Sequence, residues 1–366
     1  MSFRFISAAG IAVLAMANAF AQSPAPSHAP SPSATKPAAK ASPTPTPTTE
    51  DLVNSLNAAD LQAAITLLKS NFTNPDSITE AELNRATLEG LLVRLNHGLA
   101  LLPDRAGAPA ESPFYSELLE GHIGYLRLGS LTSGNLQAMD KKLAEFTGKK
   151  VDALIVDLRN SSLTNDFAAG AEFAKRFSPK GKLLFTLRKK GARQDLSFTS
   201  DRDPAYQGTM MILADGDTAG PAEALAGVIR FYEKALIIGQ PTAGRAVEYS
   251  DLSLPSGKIL RVAVAEAVLP ENRPLFPEGV KPDLPVEMSI ADKWQIFQLS
   301  AEKGVGPFVY ETERPHMNEA ALLAGTNPEL ESLEQRRSRA SEKTPRDSVL
   351  QRAIDLVTSL AIYQKR

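Results

Sequence analysis

Between residues 121 and 239 the chain alternates short apolar runs that favour strands with longer runs that favour helices. Parallel strands need a crossover connection between them, and that connection is usually a helix. The alternation therefore predicts an α/β core. The predicted strands are Ile123–Leu128, Ala153–Leu158, Lys182–Leu187, Met210–Ala214 and Ala235–Gly239, and the predicted helices are Gly134–Phe146, Asp166–Phe177 and Pro221–Tyr232.

The segments on either side of this core carry different signals. A β-hairpin is predicted after the core, with strands Ser250–Leu254 and Ile259–Val268 joined by a turn rich in Pro, Ser and Gly. Helical patterns begin at Asp51, and the capping box Ser77-Ile78-Thr79-Glu80 opens a second helix. Beyond Pro285 the chain is again predicted to be helical. A stripe of Val349, Ala353, Ile354 and Leu360 predicts that the last helix packs on the core.

The N-terminus has the pattern of a secretory signal. Arg4 is followed by an apolar run from Ile6 to Phe20, and Ala19-Phe20-Ala21 is a small-x-small cleavage site. The alternative is an uncleaved membrane anchor, but the run is short for a span of about 20 residues. We expect cleavage after Ala21, no stable membrane span afterwards, and a periplasmic or secreted protein.

A tract rich in Pro, Ala, Ser and Thr follows the signal. It has little apolar bulk to bury, so we expect a disordered linker. The predicted divisions are residues 1–21, signal peptide; 22–50, linker; 51–112, N-terminal helical module; 113–290, α/β core; and 291–366, helical C-terminal extension.

Composition excludes several classes of function. The chain has no cysteine, which excludes disulfides, thiolate catalysis and cysteine-ligated zinc. A formal net charge of -2 is too balanced to favour nucleic acid as a partner. We find no His/Asp/Glu set with metal-ligand spacing and no phosphate-binding loop, so no metal and no cofactor is expected.

The segment from Gly121 to Val286 resembles the catalytic domain of the C-terminal processing (tail-specific) serine peptidases. Five local matches occur in the order of the family, on about half of the chain. They are Ile123-Gly124-Tyr125-Leu126-Arg127-Leu128, Val156-Asp157-Leu158-Arg159-Asn160, Pro221-Ala222-Glu223-Ala224-Leu225-Ala226-Gly227, Ile238-Gly239-Gln240-Pro241-Thr242-Ala243-Gly244 and Gly279-Val280-Lys281-Pro282-Asp283.

The resemblance implies a ClpP/crotonase-like tail-specific-protease core with an N-terminal helical module and a C-terminal helical tail. The stretch from Arg85 to Leu92 is similar to an N-terminal helix of the family. Most members insert a peptide-gripping PDZ module between the helices and the core. Residues 103–120 are too few to hold one, so this chain is expected to lack it.

The family cuts peptides with a serine nucleophile and a lysine base. When Glu223 and Gly244 are aligned with the family motifs, the nucleophile position is Gly220 and the base position is Arg245. Glycine has no side chain that could attack a carbonyl. Arginine stays protonated in proteins, so it has no lone pair to accept a proton. The resemblance also implies that these two positions lie close together.

The oxyanion turn and a further family position are altered as well. The Asn-Asn-Pro-Gly-Gly turn of the family corresponds here to Asn160-Ser161-Ser162-Leu163-Thr164. Glycine pairs permit positive φ and close approach to a substrate, whereas leucine and threonine do not. A glutamine that many members carry four positions after the lysine is Tyr249 here. We therefore expect a degenerate, non-catalytic site.

Other residues could in principle take over the chemistry. The nearby hydroxyl groups belong to Thr218, Ser161, Ser162 and Ser250, but their contexts favour a cap, turn positions and a strand face. Among the histidines outside the linker, His97 ends an amphipathic helix and His316 lies in a polar connection. His122 starts the first core strand, and no neighbour of it has the pattern of a triad partner. Asp215, Asp217 and Glu223 near a helix start are typical of capping and helix-dipole residues.

Three functions remain open at this stage. The leading hypothesis is a peptide- or protein-binding pseudopeptidase of the cell envelope, with an envelope protein or peptide as its partner. The alternatives are an active serine endopeptidase with a relocated dyad and a structural envelope scaffold. Arg245 could hold a C-terminal carboxylate, or it could form an ordinary surface salt bridge. The candidate substrate-binding residues are Arg245, Tyr249, Thr218 and Glu223.

Overall fold

The computed structural model describes residues 48–74, 77–103, 111–161, 165–310 and 345–364. The expected signal peptide, most of the expected linker and the turn residues Ser162, Leu163 and Thr164 lie outside the described residues, as does His316. The chain divides into two compact units, Met1–Pro75 and Asp76–Arg366. Within the described residues, none of the helices combines the length and apolar content that crossing a membrane requires.

The described part of the first unit consists of two helices, α1 (Thr49–Ser55) and α2 (Ala58–Asn71). Asn57 caps α2 by accepting hydrogen bonds from the amides of Ala59 and Asp60, and the Asp60 carboxylate accepts in return from the Asn57 amide. This reciprocal pattern is a capping box.

The second unit contains a six-stranded sheet that forms the centre of the α/β core. Its order is β12-β8-β7-β4-β3-β2. All neighbouring pairs are parallel except β2 and β3, which are antiparallel. The strands are β2 (Tyr115–Leu119), β3 (Ile123–Arg127), β4 (Ala153–Asp157), β7 (Thr209–Ala214), β8 (Leu236–Gly239) and β12 (Leu284–Pro285).

Helices cover both faces of this sheet because alternate strand residues point to opposite sides. Leu154 and Val156 of β4 pack with α4 (Ser133–Lys149), α5 (Phe167–Lys175) and α6 (Pro221–Phe231). Ala153 and Ile155 face the other way and pack with the last helix, α8 (Ser348–Gln364). The predicted docking of that helix is confirmed, since Val349, Ala353 and Ile354 are buried and Leu360 is partly buried.

A second sheet is built around the long strand β10 (Ile259–Leu269). Its path is β1-β10-β5-β6, and β9 and β11 also pair with β10. The hairpin β9–β10 confirms the sequence prediction. The other strands are β1 (Leu99–Leu102), β5 (Leu183–Lys189), β6 (Leu196–Thr199), β9 (Val247–Ser253) and β11 (Arg273–Pro274).

Two expectations differ from the structure. The predicted strand at Lys182–Leu187 exists as β5, but it pairs antiparallel with β10 and not with the parallel strands. The expected helical module of residues 51–112 contains α3 (Glu80–Arg94) and also β1, which pairs with β10 from Leu99 to Leu102. The compact unit accordingly begins at Asp76. In both cases pairing with a strand far along the chain determines the outcome.

Candidate functional site

Gly220 lies at the point where β7 leads into α6. It has φ 58° and ψ −128°, and Pro221 occupies the first turn of the helix. A positive φ is the region in which glycine is favoured, and proline suits a first turn because its missing N–H is not needed there. The Gly220 amide donates a hydrogen bond of 3.1 Å to the carbonyl oxygen of Arg245. The structure therefore places the two positions side by side.

The carboxylate of Glu223 holds the segment that leads to Arg245. It is fully buried in the first turn of α6, and it accepts hydrogen bonds from the amides of Gly244 and Arg245, each at 2.8 Å. It also accepts a hydrogen bond from the hydroxyl of Thr242. Burial raises the pKa of Glu223, while these donors and the charge of Arg245 oppose the increase. All this bonding is internal, so the carboxylate is already used within the protein.

Thr218 is a second internal link. Its fully buried hydroxyl donates to the carbonyl oxygen of Leu158 at 3.1 Å and accepts from the amide of Asp215 at 3.2 Å. Its own carbonyl oxygen accepts from the amide of Ala243 at 3.0 Å. Thr218 and Glu223 were candidates for substrate binding. In the structure the polar atoms of both side chains are buried and hydrogen-bonded within the protein. They connect the loops that follow β4, β7 and β8 instead of facing a ligand.

Arg245 differs from these enclosed residues. Its side chain is half-buried, and within the described part of the chain its guanidinium has neither a hydrogen-bond acceptor nor an ion-pair partner. The surface salt bridge considered from the sequence is therefore not formed by any residue that the structure describes. Hydrogen bonds with Glu223, Gly220 and Val247 fix the backbone of Arg245 and leave its guanidinium unbonded among the described residues. Among the described residues, therefore, nothing pairs with the charge of this side chain.

Tyr249 lies on β9, close to the same loop. Its hydroxyl donates to the carbonyl oxygen of His97 at 2.5 Å, and burial raises the pKa of this tyrosine. His97 in turn donates from Nδ1 to the carbonyl oxygen of Ala243 at 2.9 Å, since a carbonyl oxygen can only accept. No role was predicted for His97, yet the structure places its ring against the segment that leads to Arg245.

The residues of the expected oxyanion turn are only partly described. Asn160 accepts a hydrogen bond from the Ser112 hydroxyl at 3.2 Å. Ser161 is buried, and its hydroxyl has no hydrogen-bond partner among the described residues. Leu163 and Thr164 lie outside the described residues, so the substitution of the glycine pair stays a sequence-based prediction.

Comparison with known proteins identifies the domain around these residues. Residues 122–286 match the model of Peptidase family S41. These residues form an S41 domain. The structure agrees, because the matched segment holds the central parallel sheet, α4 to α6 and the Gly220–Arg245 pair. The resemblance inferred from the sequence is thereby confirmed at the level of family and fold.

Several relatives carry names that refer to carboxyl-terminal processing. The chain is 27% identical over 216 residues to "Carboxyl-terminal-processing peptidase 2, chloroplastic" of Arabidopsis thaliana, covering 59% of this chain and 40% of that protein. It is 26% identical over 168 residues to "Carboxyl-terminal-processing protease" of Synechocystis sp., covering 46% of this chain and 39% of that protein. The matches thus span about two fifths of these relatives.

A solved structure also aligns with the chain. The photosystem II D1 C-terminal processing protease has 22% sequence identity and a TM-score of 0.40, with 57% of this chain and 53% of that chain covered.

The S41 domain is tied to the segment that follows it by a buried lysine. Lys293, on α7 (Ile290–Lys303), is only 2% exposed. Its ammonium donates to the carboxylates of Asp215 and Asp217 at 2.6 Å and 2.5 Å, and to the carbonyl oxygen of Arg159 at 3.2 Å. Burial raises the pKa of Asp215, and the charge and hydrogen bond of Lys293 oppose that rise. One side chain thereby joins the loops that precede Gly220 and Asn160.

A second buried charge network lies beside Lys293. The Arg159 guanidinium binds Asp157 at 2.7 Å and Asp347, just before α8, at 2.8 Å. Burial by itself raises the pKa of Asp157, but the Arg159 charge and hydrogen bonds from Arg159 and Tyr125 outweigh it and hold that pKa below its ordinary value. Neither this network nor the role of Lys293 was predicted, because Lys293 and Asp347 lie outside residues 122–286.

Two further features complete the surroundings of the site. A groove of about 1090 Å³ lies along the C-terminal half of α6, and neither Gly220 nor Arg245 lines it. Among the residues that the structure describes, no group of three or more His, Asp or Glu side chains is arranged to hold a metal ion. The candidate site is the region around Gly220 and Arg245, where the Arg245 guanidinium has no ion-pair partner among the described residues.

Proposed function

We propose that this protein is a non-catalytic, peptide-binding member of family S41. The observation that carries the proposal is the 3.1 Å hydrogen bond between the Gly220 amide and the Arg245 carbonyl oxygen. It puts the nucleophile and base positions of the family resemblance next to each other. One of them has no side chain, and the other has a side chain that stays protonated.

The arrangement of the neighbouring groups argues against a relocated dyad. A serine or threonine nucleophile needs a base with a free lone pair within hydrogen-bond reach. The Thr218 hydroxyl donates to a backbone carbonyl group and is enclosed. Lys293 is buried, and its ammonium already donates hydrogen bonds to two carboxylates and a backbone carbonyl oxygen. Among the residues that the structure describes, the Thr218 hydroxyl therefore has no base beside it, and the Lys293 ammonium has no hydroxyl beside it, so neither group has the arrangement that proton abstraction requires.

The ligand that fits the site best is a peptide with a free C-terminal carboxylate. An arginine guanidinium binds carboxylates through two parallel hydrogen bonds. The Arg245 guanidinium has no such partner among the described residues. The names of the relatives, which refer to processing at the carboxyl terminus, support the same class of ligand.

The test combines an activity assay with a binding assay. We expect purified protein to leave casein intact and to stay unlabelled by a fluorophosphonate probe for reactive serines. We expect a fluorescein-labelled heptapeptide library with free C-termini to yield binders by fluorescence anisotropy. Replacing the terminal carboxylate with an amide should weaken binding, because the charged hydrogen bonds to Arg245 are lost.

Two variants make the binding test specific. Arg245→Gln should lose about tenfold or more in affinity, as expected for removal of a charge-assisted contact. Arg193→Gln removes an exposed arginine on the β5–β6 turn and should leave affinity unchanged. Turnover of peptides that a single Ser or Thr substitution abolishes would overturn the proposal. Failure of the whole library to bind would favour the structural scaffold.

We also propose that the protein acts in the cell envelope, on the basis of the signal-like residues 1–21. Mass spectrometry of the exported protein should give a mature N-terminus at Gln22. Retention of residues 1–21 on a cytoplasmic protein would contradict this location.

A further inference from the structure

Strand β9 has an edge that points away from its partner strand. The amide of Ala263 donates to the carbonyl oxygen of Gly98, so the backbone groups of Ala263 face β1. Ala263 lies opposite Tyr249 in the β9–β10 register. In an antiparallel pair, residues that do not bond each other both turn their N–H and C=O groups outward. The backbone of Tyr249 therefore faces away from β10, and among the described strands only β10 pairs with β9.

The side chain of Asn165 occupies this outward edge. Its amide nitrogen donates to the Tyr249 carbonyl oxygen at 2.7 Å, and its carbonyl oxygen accepts from the Tyr249 amide at 3.0 Å. A side-chain amide offers the same donor and acceptor as a peptide unit. Asn165 thus makes the pair of hydrogen bonds that one residue of an added strand would make. The residue itself is exposed, so a ligand strand could displace it.

We propose that an extended peptide adds to the outer edge of β9 and that Asn165 is an internal competitor which this peptide displaces. The inference rests on the proposed function, since it takes a peptide with a free carboxylate as the ligand. In strand addition the main-chain hydrogen bonds supply the affinity, so peptides of different sequence can bind in this way. Until a ligand arrives, Asn165 satisfies the exposed edge, which would otherwise invite pairing with other chains.

The position of Arg245 fixes the direction of the added strand. Arg245 precedes β9, which begins at Val247. A ligand carboxylate at Arg245 therefore lies at the N-terminal end of β9, and the ligand must run antiparallel to this strand. The next residue whose backbone faces outward in the same way as Tyr249 is Asp251, because the alternation along a strand has a period of two. The peptide residues nearest its C-terminus should then pair with Tyr249 and those further back with Asp251.

The test uses the strongest binder from the heptapeptide library described above. Asn165→Ala should bind it about tenfold more tightly than the wild type, because the two competing hydrogen bonds are gone. Asn165→Asp keeps the size of the side chain but loses the donor, and it should also bind more tightly. The matched control Gln137→Ala removes an exposed amide side chain on α4 and should not change affinity. N-methylation along the peptide should weaken binding only at alternate residues.

Hydrogen exchange at the Tyr249 amide gives a second readout. Exchange should be faster in Asn165→Ala than in the wild type, and the peptide should slow it again in both proteins. A peptide that binds wild type and Asn165→Ala equally, with methylation tolerated throughout, would overturn strand addition and leave the proposed function intact. If neither protein binds any library peptide, the proposed function fails and this inference fails with it.

Discussion

Replacing Lys293 by methionine removes the ammonium group that donates hydrogen bonds to both Asp215 and Asp217. Methionine keeps most of the volume of the lysine stem, so the change isolates the loss of the ammonium group. In the wild type the ammonium contacts both carboxylates within 2.6 Å and also a backbone carbonyl oxygen. Its removal leaves the Asp215 carboxylate, whose side chain is 11% exposed, without its charged partner.

The size of the effect follows from how deeply each partner is buried. Removing one partner of a buried ion pair costs about 3–5 kcal/mol, because an uncompensated charge stays behind. The Asp217 side chain is 44% exposed, so solvent screens it and it adds little. We therefore expect Lys293→Met to lower the free energy of unfolding by about 3 kcal/mol. At about 2 °C per kcal/mol for a large domain, the melting temperature should fall by about 6 °C.

Urea unfolding followed by circular dichroism, together with thermal scans, measures this loss. The control Lys281→Met removes a lysine whose side chain is 72% exposed and whose ion pair with Glu278 is 3.6 Å long. That change should cost about 0–1 kcal/mol. If Lys293→Met costs no more than Lys281→Met, the reasoning about the buried network is wrong.

The charge left behind also makes the effect depend on pH and on a second substitution. Burial raises the pKa of Asp215 already in the wild type, and the loss of Lys293 removes the largest of the influences that oppose this rise, its hydrogen bond and its charge. A carboxyl group with a raised pKa in the folded state stabilises the protein at low pH and loses that contribution as the pH rises. The deficit of Lys293→Met should therefore shrink on acidification. Adding Asp215→Asn should recover part of the stability at neutral pH.

Three further predictions follow from the same contacts. The stability difference between the wild type and Asp157→Asn, measured by urea unfolding, should be largest at neutral pH and shrink as the pH falls below 3.8. The reason is that the lowered pKa of Asp157 gives a stabilisation that is lost when the carboxylate protonates. The double variant Gly220→Ser with Arg245→Lys should show little turnover in a casein assay. A non-glycine residue at φ 58° costs about 1–3 kcal/mol of backbone strain. The altered oxyanion turn alone can cost about 10²–10³ in rate. Gly279→Ala should lower the free energy of unfolding by more than about 1–2 kcal/mol, because its φ is 73° and its new Cβ would lie 2.6 Å from a carboxylate oxygen.

The sequence predicts the elements of the core because their signals are local. The predicted strand Ala153–Leu158 and helix Pro221–Tyr232 agree with β4 and α6 to within one residue at each end. The predicted helix start near Ser77–Glu80 is also found, but the capping residue differs. The helix begins at Glu80 and is capped by Thr79, whose hydroxyl accepts from the Glu82 amide, and not by Ser77 as the predicted capping box required. In each case the apolar spacing or the cap lies within the element itself.

Other features depend on partners far along the chain, and local patterns do not contain them. Strand β5 joins β10 across a long separation, so its sheet could not be assigned from its own residues. The same holds for Lys293, whose carboxylate partners lie 78 and 76 positions away. The Asn165–Tyr249 contact joins a side chain to a backbone, and the hydrophobic pattern carries no trace of such a bond. The proximity of Gly220 and Arg245 was predicted only through the family resemblance.

Polar side chains around Gly220 fall into two kinds: those buried and hydrogen-bonded within the protein, and the Arg245 guanidinium, which has no partner among the described residues. Glu223 and Thr218 have every described polar contact inside the protein, and removing a partner from such a buried group costs about 1–3 kcal/mol. Stability alone therefore accounts for them, and their presence would be the same in a binding protein, an enzyme or a scaffold. The Arg245 guanidinium has no such internal explanation among the described residues, since only its backbone is bonded. The side chain of Arg245 therefore has no described contact through which it would stabilise the fold. A loss of peptide affinity in Arg245→Gln would indicate a binding protein, and a protein that binds no peptide would indicate a scaffold.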